Sequence, residues 1–157
     1  MSNRGCAVQD TPNVEERPIT ILLPWYLDPV FSDLFQEFGF RVLWAESREE
    51  LARALGGEHI DIAFEWQHGP EDFPVRDLLR SRRIEVPIVL CLNWNGRLPG
   101  DPTALGYACW LKVPFEIEPM MRVLLWLLPK SRQPLMRELM VHVVGEVGVP
   151  AQPEGRG

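Results

Sequence analysis

Five aromatic side chains fall beside acids in a pattern that can do binding chemistry. Trp25, Tyr26, Trp44, Trp66 and Trp94 each follow a short apolar run, and Asp28, Glu46, Glu65, Glu71 and Asp72 lie close by in sequence. Ring faces and carboxylates together attract a cation, through the ring quadrupole and through direct charge pairing. One reading is therefore a recess of Trp25, Tyr26, Asp28, Glu65, Trp66 and Trp94 that takes a peptide or a small cationic ligand. The other is that the rings plug the edge of the core, since each buries a large area. His68 beside Glu65 and Glu71 can be drawn as a metal site, but a loop histidine among surface acids is the plainer reading. No glycine-rich phosphate loop, Ser-His-Asp set or Cys-His pair stands out, so no catalytic residue, cofactor or metal ligand is assigned and the chain is not expected to be an enzyme.

The elements that must hold these residues follow from the apolar period. ITILL (19–23), FRVLWA (40–45), IDIAF (60–64), VPIVLCL (86–92) and ACWLKV (108–113) read as strands. Asp28 and Pro29 open a helix that carries Phe31, Leu34, Phe35 and Phe38 and stops at Gly39. Ser47 and Glu50 form a capping box for a second helix with Leu51 and Leu55 inward, and Gly56 and Gly57 close it. A short helix is expected from about Val75 to Arg83, at most a stub near Pro102 to Leu105, and a long helix from about Ile117 to Leu128. Strands alternating with helices imply an α/β fold with a parallel sheet covered on both faces, ligands gathering at the carboxyl ends of the strands.

Composition narrows the classes. A chain of 157 residues with 46% hydrophobic and 24% charged content fits one domain. A net charge of −6 argues against nucleic acid as a partner, and Arg80, Arg82 and Arg83 read as a solvated helix end. No apolar run reaches the length of a membrane span or follows a basic start as a secretory signal does, so a cytoplasmic protein is expected. Cys6, Cys91 and Cys109 have no metal-like spacing, and Cys91 and Cys109 are expected as small buried hydrophobes. Residues 1–17 and 149–157 read as disordered ends around a domain at 18–130 and a helical extension at 131–148.

In order, spacing and punctuation, residues 18–129 resemble the receiver domain of bacterial response regulators, the flavodoxin-like (CheY-like) fold. The markers are Asp28-Pro29, Asp61 opening the third strand, GPEDFP (69–74), Pro87 before the fourth strand and GYACWLKVPFE (106–116). The resemblance implies a phosphoacceptor carboxylate, an acidic pair for Mg²⁺, a Ser or Thr and a Lys at set positions. Those positions fall on Trp66 (or on Glu65, one residue earlier), on Tyr26 and Leu27, on Leu92 and on Val113, with Lys112 aimed to the other face of its strand. A pseudo-receiver without phosphotransfer is expected, with Glu65 as a permanent phosphate mimic left open.

The last helix adds a partner expectation. EIEPMMRVLLWLLPK (116–130) is apolar nearly all round, more than covering one face of a sheet requires. Either PLMRELMVHVVGEV (134–147) folds back over it as a further helix, or Met120, Val123, Trp126 and Leu127 form an interaction face, or both. The expected function is a phosphorylation-independent protein-interaction module in bacterial signalling, homodimeric through the last helix and the extension. The alternative is a small-molecule or peptide sensor that uses the aromatic recess.

Overall fold

The computed structural model describes residues 17–67, 73–93, 96–97 and 100–145. Cys6, His68, Glu71, Asp72 and Trp94, most of the GPEDFP loop and both expected disordered ends but for Arg17 lie outside the described residues. Five strands, β1 (Thr20–Leu22), β2 (Arg41–Leu43), β3 (Ile62–Trp66), β4 (Ile88–Asn93) and β5 (Cys109–Val113), pair in parallel in the order β2-β1-β3-β4-β5. Five helices accompany them among the described residues: α1 (Pro29–Glu37), α2 (Arg48–Ala54), α3 (Pro74–Ser81), α4 (Ile117–Leu127) and α5 (Gln133–Val144). This is the expected α/β fold. The order reverses between β1 and β3, so the carboxyl ends of those two strands flank the crevice where such sheets place their ligands.

Both faces of the central strands are covered, which is why β1, β3 and β4 are buried almost throughout and read as largely apolar rather than alternating. On one face Ile21, Phe64 and Cys91 pack against Phe35 of α1, Met121 and Leu124 of α4 and Met136 of α5. On the other, Leu22, Ala63 and Leu90 pack against Leu51 of α2 and Leu78 and Leu79 of α3. Local signals start the helices as the sequence predicts. Asp28 Oδ1 accepts from Val30 N at 2.9 Å with Pro29 in the first turn, and Ser47 Oγ accepts from Glu50 N at 3.1 Å.

Three expectations are corrected. The third strand runs two residues later than predicted, because Trp66 pairs with Cys91 and Gln67 N donates to Cys91 O, extending the ladder past Phe64. Glu65 and Trp66 thus belong to the strand. Asp61 precedes it, and its buried carboxylate accepts from Thr20 N at 2.8 Å. Met120, expected on an outward face, is fully buried with Met121, since residues 120, 121 and 124 make the stripe of α4 that faces the sheet, continued by Leu128 just past its end.

No helix forms between β4 and β5 among the described residues. Residues 101–107 make successive turns instead, with Leu105 N donating to Asp101 O and Tyr107 N to Pro102 O. The edge strand β5 is left partly uncovered on that side. Trp110 is 41% exposed and Lys112 is exposed, while Cys109, Leu111 and Val113 pack inward.

The extension folds back, as one of the two sequence readings has it. Leu139 of α5 packs at Gly39, where φ is +105° and a side chain would place its Cβ 2.5 Å from Leu139 Cδ2. Gly39 therefore both ends α1 and admits α5. At the start of α5, Arg132 is 1% exposed and its guanidinium meets Asp61 in two hydrogen bonds of 3.1 and 2.9 Å. It also donates to the carbonyls of Arg17 and Pro18.

Candidate functional site at the carboxyl edge of the sheet

Tyr26 leaves β1 on a short turn, closed by Leu27 N donating to Pro24 O, that carries its ring across to the end of β3. There its phenol donates to Trp66 O at 2.7 Å and accepts from Trp66 N at 3.1 Å. Both main-chain groups of the last β3 residue are thus met by one side chain, where β1 has already ended. Trp66 is 8% exposed and packs with Phe31, Phe64 and Phe115 at centroid distances of 5.6, 5.9 and 6.5 Å.

Trp25 and Asp28 stand apart from that cluster in what they do. Trp25 meets Tyr26 edge-on at 5.6 Å, and its own ring takes the guanidinium of Arg48 at 5.7 Å. Asp28 is exposed and caps α1. The sequence-predicted recess is therefore divided. Trp25 already holds a cation of its own chain, Tyr26 is locked to Trp66, and Trp94 lies outside the described residues.

Glu65 points to the opposite face of β3 from Trp66, as alternation along a strand requires. It is 1% exposed, and its Oε1 accepts from Arg76 N at 2.9 Å and from the Tyr107 hydroxyl at 3.0 Å. Arg76 stands in the first turn of α3, whose start at Phe73 has no side-chain cap of its own, so Glu65 caps the helix from the sheet. Burial pushes its carboxyl up to about 7, against the lowering effect of the Arg76 amide, the Tyr107 hydroxyl, the Val75 amide and the Arg76 charge. The Tyr107 phenol is raised by burial and by the facing Glu65.

A cavity of about 650 Å³ opens at the same edge but on the α1 side, lined by Leu27, Phe31, Leu34, Trp66, Val113 and Phe115 with Asn93 as its polar member. Sequence reasoning missed this cavity, because Phe31 and Phe115 read there only as helix and loop residues. The described residues of this edge do not make a Mg²⁺ site: that ion wants several oxygen ligands in near-octahedral order, and among them the phenol of Tyr26 is committed while Leu27, Leu92 and Val113 offer none. Among the described residues no group of three His, Cys, Asp or Glu is placed to hold a metal ion. No helix there is long and apolar enough to cross a membrane.

The proposed interaction face is reduced to part of its expected residues. Trp126 is 83% exposed, Val123 is half-buried, and Leu127 packs against the core edge, while Met120 is interior. Val141 of α5, 49% exposed, joins Trp126 as an outward apolar residue of the two-helix surface. Arg80, Arg82 and Arg83 are exposed at the end of α3, and Cys91 and Cys109 are free thiols raised by burial.

No sequence family matches the chain, and no curated protein matches it either. Solved structures do. The chemotaxis protein CheY4 of Vibrio cholerae matches over 71% of this chain and 100% of its own, with a TM-score of 0.56 at 18% identity. The signal receiver domain of a LuxO-type repressor from Vibrio parahaemolyticus matches over 78% of this chain and 98% of its own, with a TM-score of 0.56 at 11% identity. The receiver domain of a sensor histidine kinase from Pseudomonas aeruginosa, solved with magnesium in its active-site cleft, covers 71% of this chain and 98% of its own at 20% identity and a TM-score of 0.54. The chain has the CheY-like receiver fold.

Proposed function

We propose that this chain is a receiver-like interaction module that works without taking up phosphate, in bacterial signalling or regulation. The observation that carries the reading is Tyr26, whose phenol is bound to both main-chain groups of Trp66 at the edge where a receiver does its chemistry. Leu27 and Val113, which line the cavity beside Trp66, and Leu92 near the end of β4 supply neither metal ligands nor an ammonium. Glu65 is spent on the first turn of α3 and on Tyr107, on the other face, which speaks against a phosphate mimic presented at that edge. Output passes through protein contacts, and the outer surface of α4 and α5 around Trp126 is the face we assign to them, with a second copy of the chain as its first occupant.

Beryllofluoride with Mg²⁺ tests this directly. Tryptophan fluorescence, which reports Trp66 at the edge, stays unchanged up to millimolar beryllofluoride on this reading. A saturable, Mg²⁺-dependent change overturns it.

The second reading, a small-molecule sensor, is favoured by the cavity beside Trp66, whose size lies in the range of ligand pockets, roughly 300–1,000 Å³. Its lining carries no charge, so its ligand is a neutral aromatic or aliphatic molecule rather than the cation the sequence pattern calls for. Indole is a suitable probe. A saturable rise in Tm with indole, lost on filling the cavity with Leu34→Trp, supports this reading; no rise in either protein removes it.

A further inference from the structure

The buried carboxyl of Glu65 has no part in either functional reading, yet it joins three elements. It extends from the penultimate residue of β3, accepts from the first turn of α3 through Arg76 N, and accepts from the Tyr107 hydroxyl just before β5. Arg76 carries the connection onward. Its Nη1 donates to Leu105 O at 2.9 Å, its guanidinium lies 4.2 Å over the Phe73 ring, and it pairs with Asp77 at 3.1 Å. One residue therefore donates its amide hydrogen to Glu65 and holds, with its side chain, the turns that stand between β4 and β5.

We propose that Glu65 is a proton-operated latch: protonated, it stays buried between the start of α3 and Tyr107, and ionised, it is drawn toward water, which releases them and loosens the 101–107 turns held through Arg76. The chemistry is a contest between desolvation and hydrogen bonding. A carboxylate matches the two donors that converge on it, but burial penalises the charged form by more than those donors offset, so the packed arrangement favours the acid. Deprotonation is opposed by burial and favoured by those donors, a balance that leaves the group near 7.

The charged and titratable groups facing Glu65 among the described residues are few. α3 brings Arg76, with Asp77 paired to it on its exposed side, and the segment before β5 brings Tyr107. The β1–α1 turn brings Tyr26, whose phenol also raises Tyr107. β4 faces Glu65 with Leu90, which is apolar. Since the Tyr107 phenol stays protonated at any neutral pH, Glu65 is the group in this cluster that changes state there.

The latch does not depend on whether the domain takes up phosphate, and its test is separate. Carboxyl carbon and backbone amide resonances are followed by NMR from pH 5 to 9 in the full chain. The expected result is a Glu65 carboxyl midpoint within about one pH unit of 7, with the amides of Val75, Arg76 and Leu105 shifting at the same midpoint. Tyr107→Phe removes one donor to the anion and moves that midpoint upward. Glu65→Gln abolishes the common titration of the three amides; if that variant does not fold, the wild-type titration and Tyr107→Phe decide alone. A Glu65 midpoint below 5 overturns the proposal, and so does a midpoint near 7 with Val75, Arg76 and Leu105 unmoved.

Discussion

Tyr26 and Glu65 show how single side chains take over main-chain work at a strand end. Trp66 N and O are interior polar groups at the point where β1 no longer pairs with β3, and leaving such a group unmet costs about 1–3 kcal/mol. Tyr26→Phe keeps the ring and its packing but removes both bonds, so urea unfolding should show a loss of about 1–3 kcal/mol with an unchanged m-value. An unaltered midpoint would mean that the phenol only fills space. Glu65 predicts a pH effect whose sign is unusual for a hydrogen-bonded carboxylate. Its folded value of about 7 lies above its ordinary 4.5, so the folded state holds a proton that the unfolded state has released across that window. Its contribution to stability is fully present below pH 4.5 and is lost as pH rises through 7, by roughly 3 kcal/mol in all. Unfolding free energies measured from pH 4.5 to 8 should carry that decline in the wild type, and Glu65→Gln should flatten it.

At the scale of elements, α5 is held at its start and at its middle by features far apart in sequence. Gly39 gives Leu139 its seat at the end of α1, and Arg132 reaches under the sheet to Asp61. Asp61 is met in addition by Thr20 N and by His59 Nε2 at 3.2 Å, so its carboxylate is fully committed. Removing one partner of a buried pair leaves the other charge without compensation, at about 3–5 kcal/mol. Arg132→Met should therefore destabilise the protein by that order, and Arg132→Met with Asp61→Asn should recover much of the loss, since Asn still accepts from Thr20 N. Differential scanning calorimetry of the two variants reads both. Equal losses in the single and the double variant would show that the carbonyls of Arg17 and Pro18 matter more to Arg132 than Asp61 does.

For the whole molecule the question is what meets the outer face of α4 and α5. Trp126 projects 83% of its surface away from the core, so Trp126→Glu should leave stability within about 0.5 kcal/mol. Sedimentation velocity at several concentrations should show the wild type associating and Trp126→Glu monomeric. A wild type that stays monomeric at every concentration would remove the second copy as the occupant of this face. Much of the architecture was legible beforehand, because its signals are local. Asp28-Pro29 and Ser47-Glu50 satisfy their own helix starts, and the apolar runs of β1, β3 and β4 reflect burial on both faces, whatever lies further away. The sequence by itself thus determined the five parallel strands, the helices that follow β1, β2, β3 and β5, and the apolar side chains at Leu27, Leu92 and Val113. Only the tertiary structure decided where β3 ends, that Glu65 faces α3 rather than the aromatic edge, that Met120 is interior, and that Arg132 meets Asp61. Each of those depends on partners at least 11 residues away in the chain, as Arg76 is from Glu65 and Asp61 is from Arg132 at a separation of 71. Such pairings leave no periodic trace in sequence, because strand register and helix packing, not local propensity, bring them together.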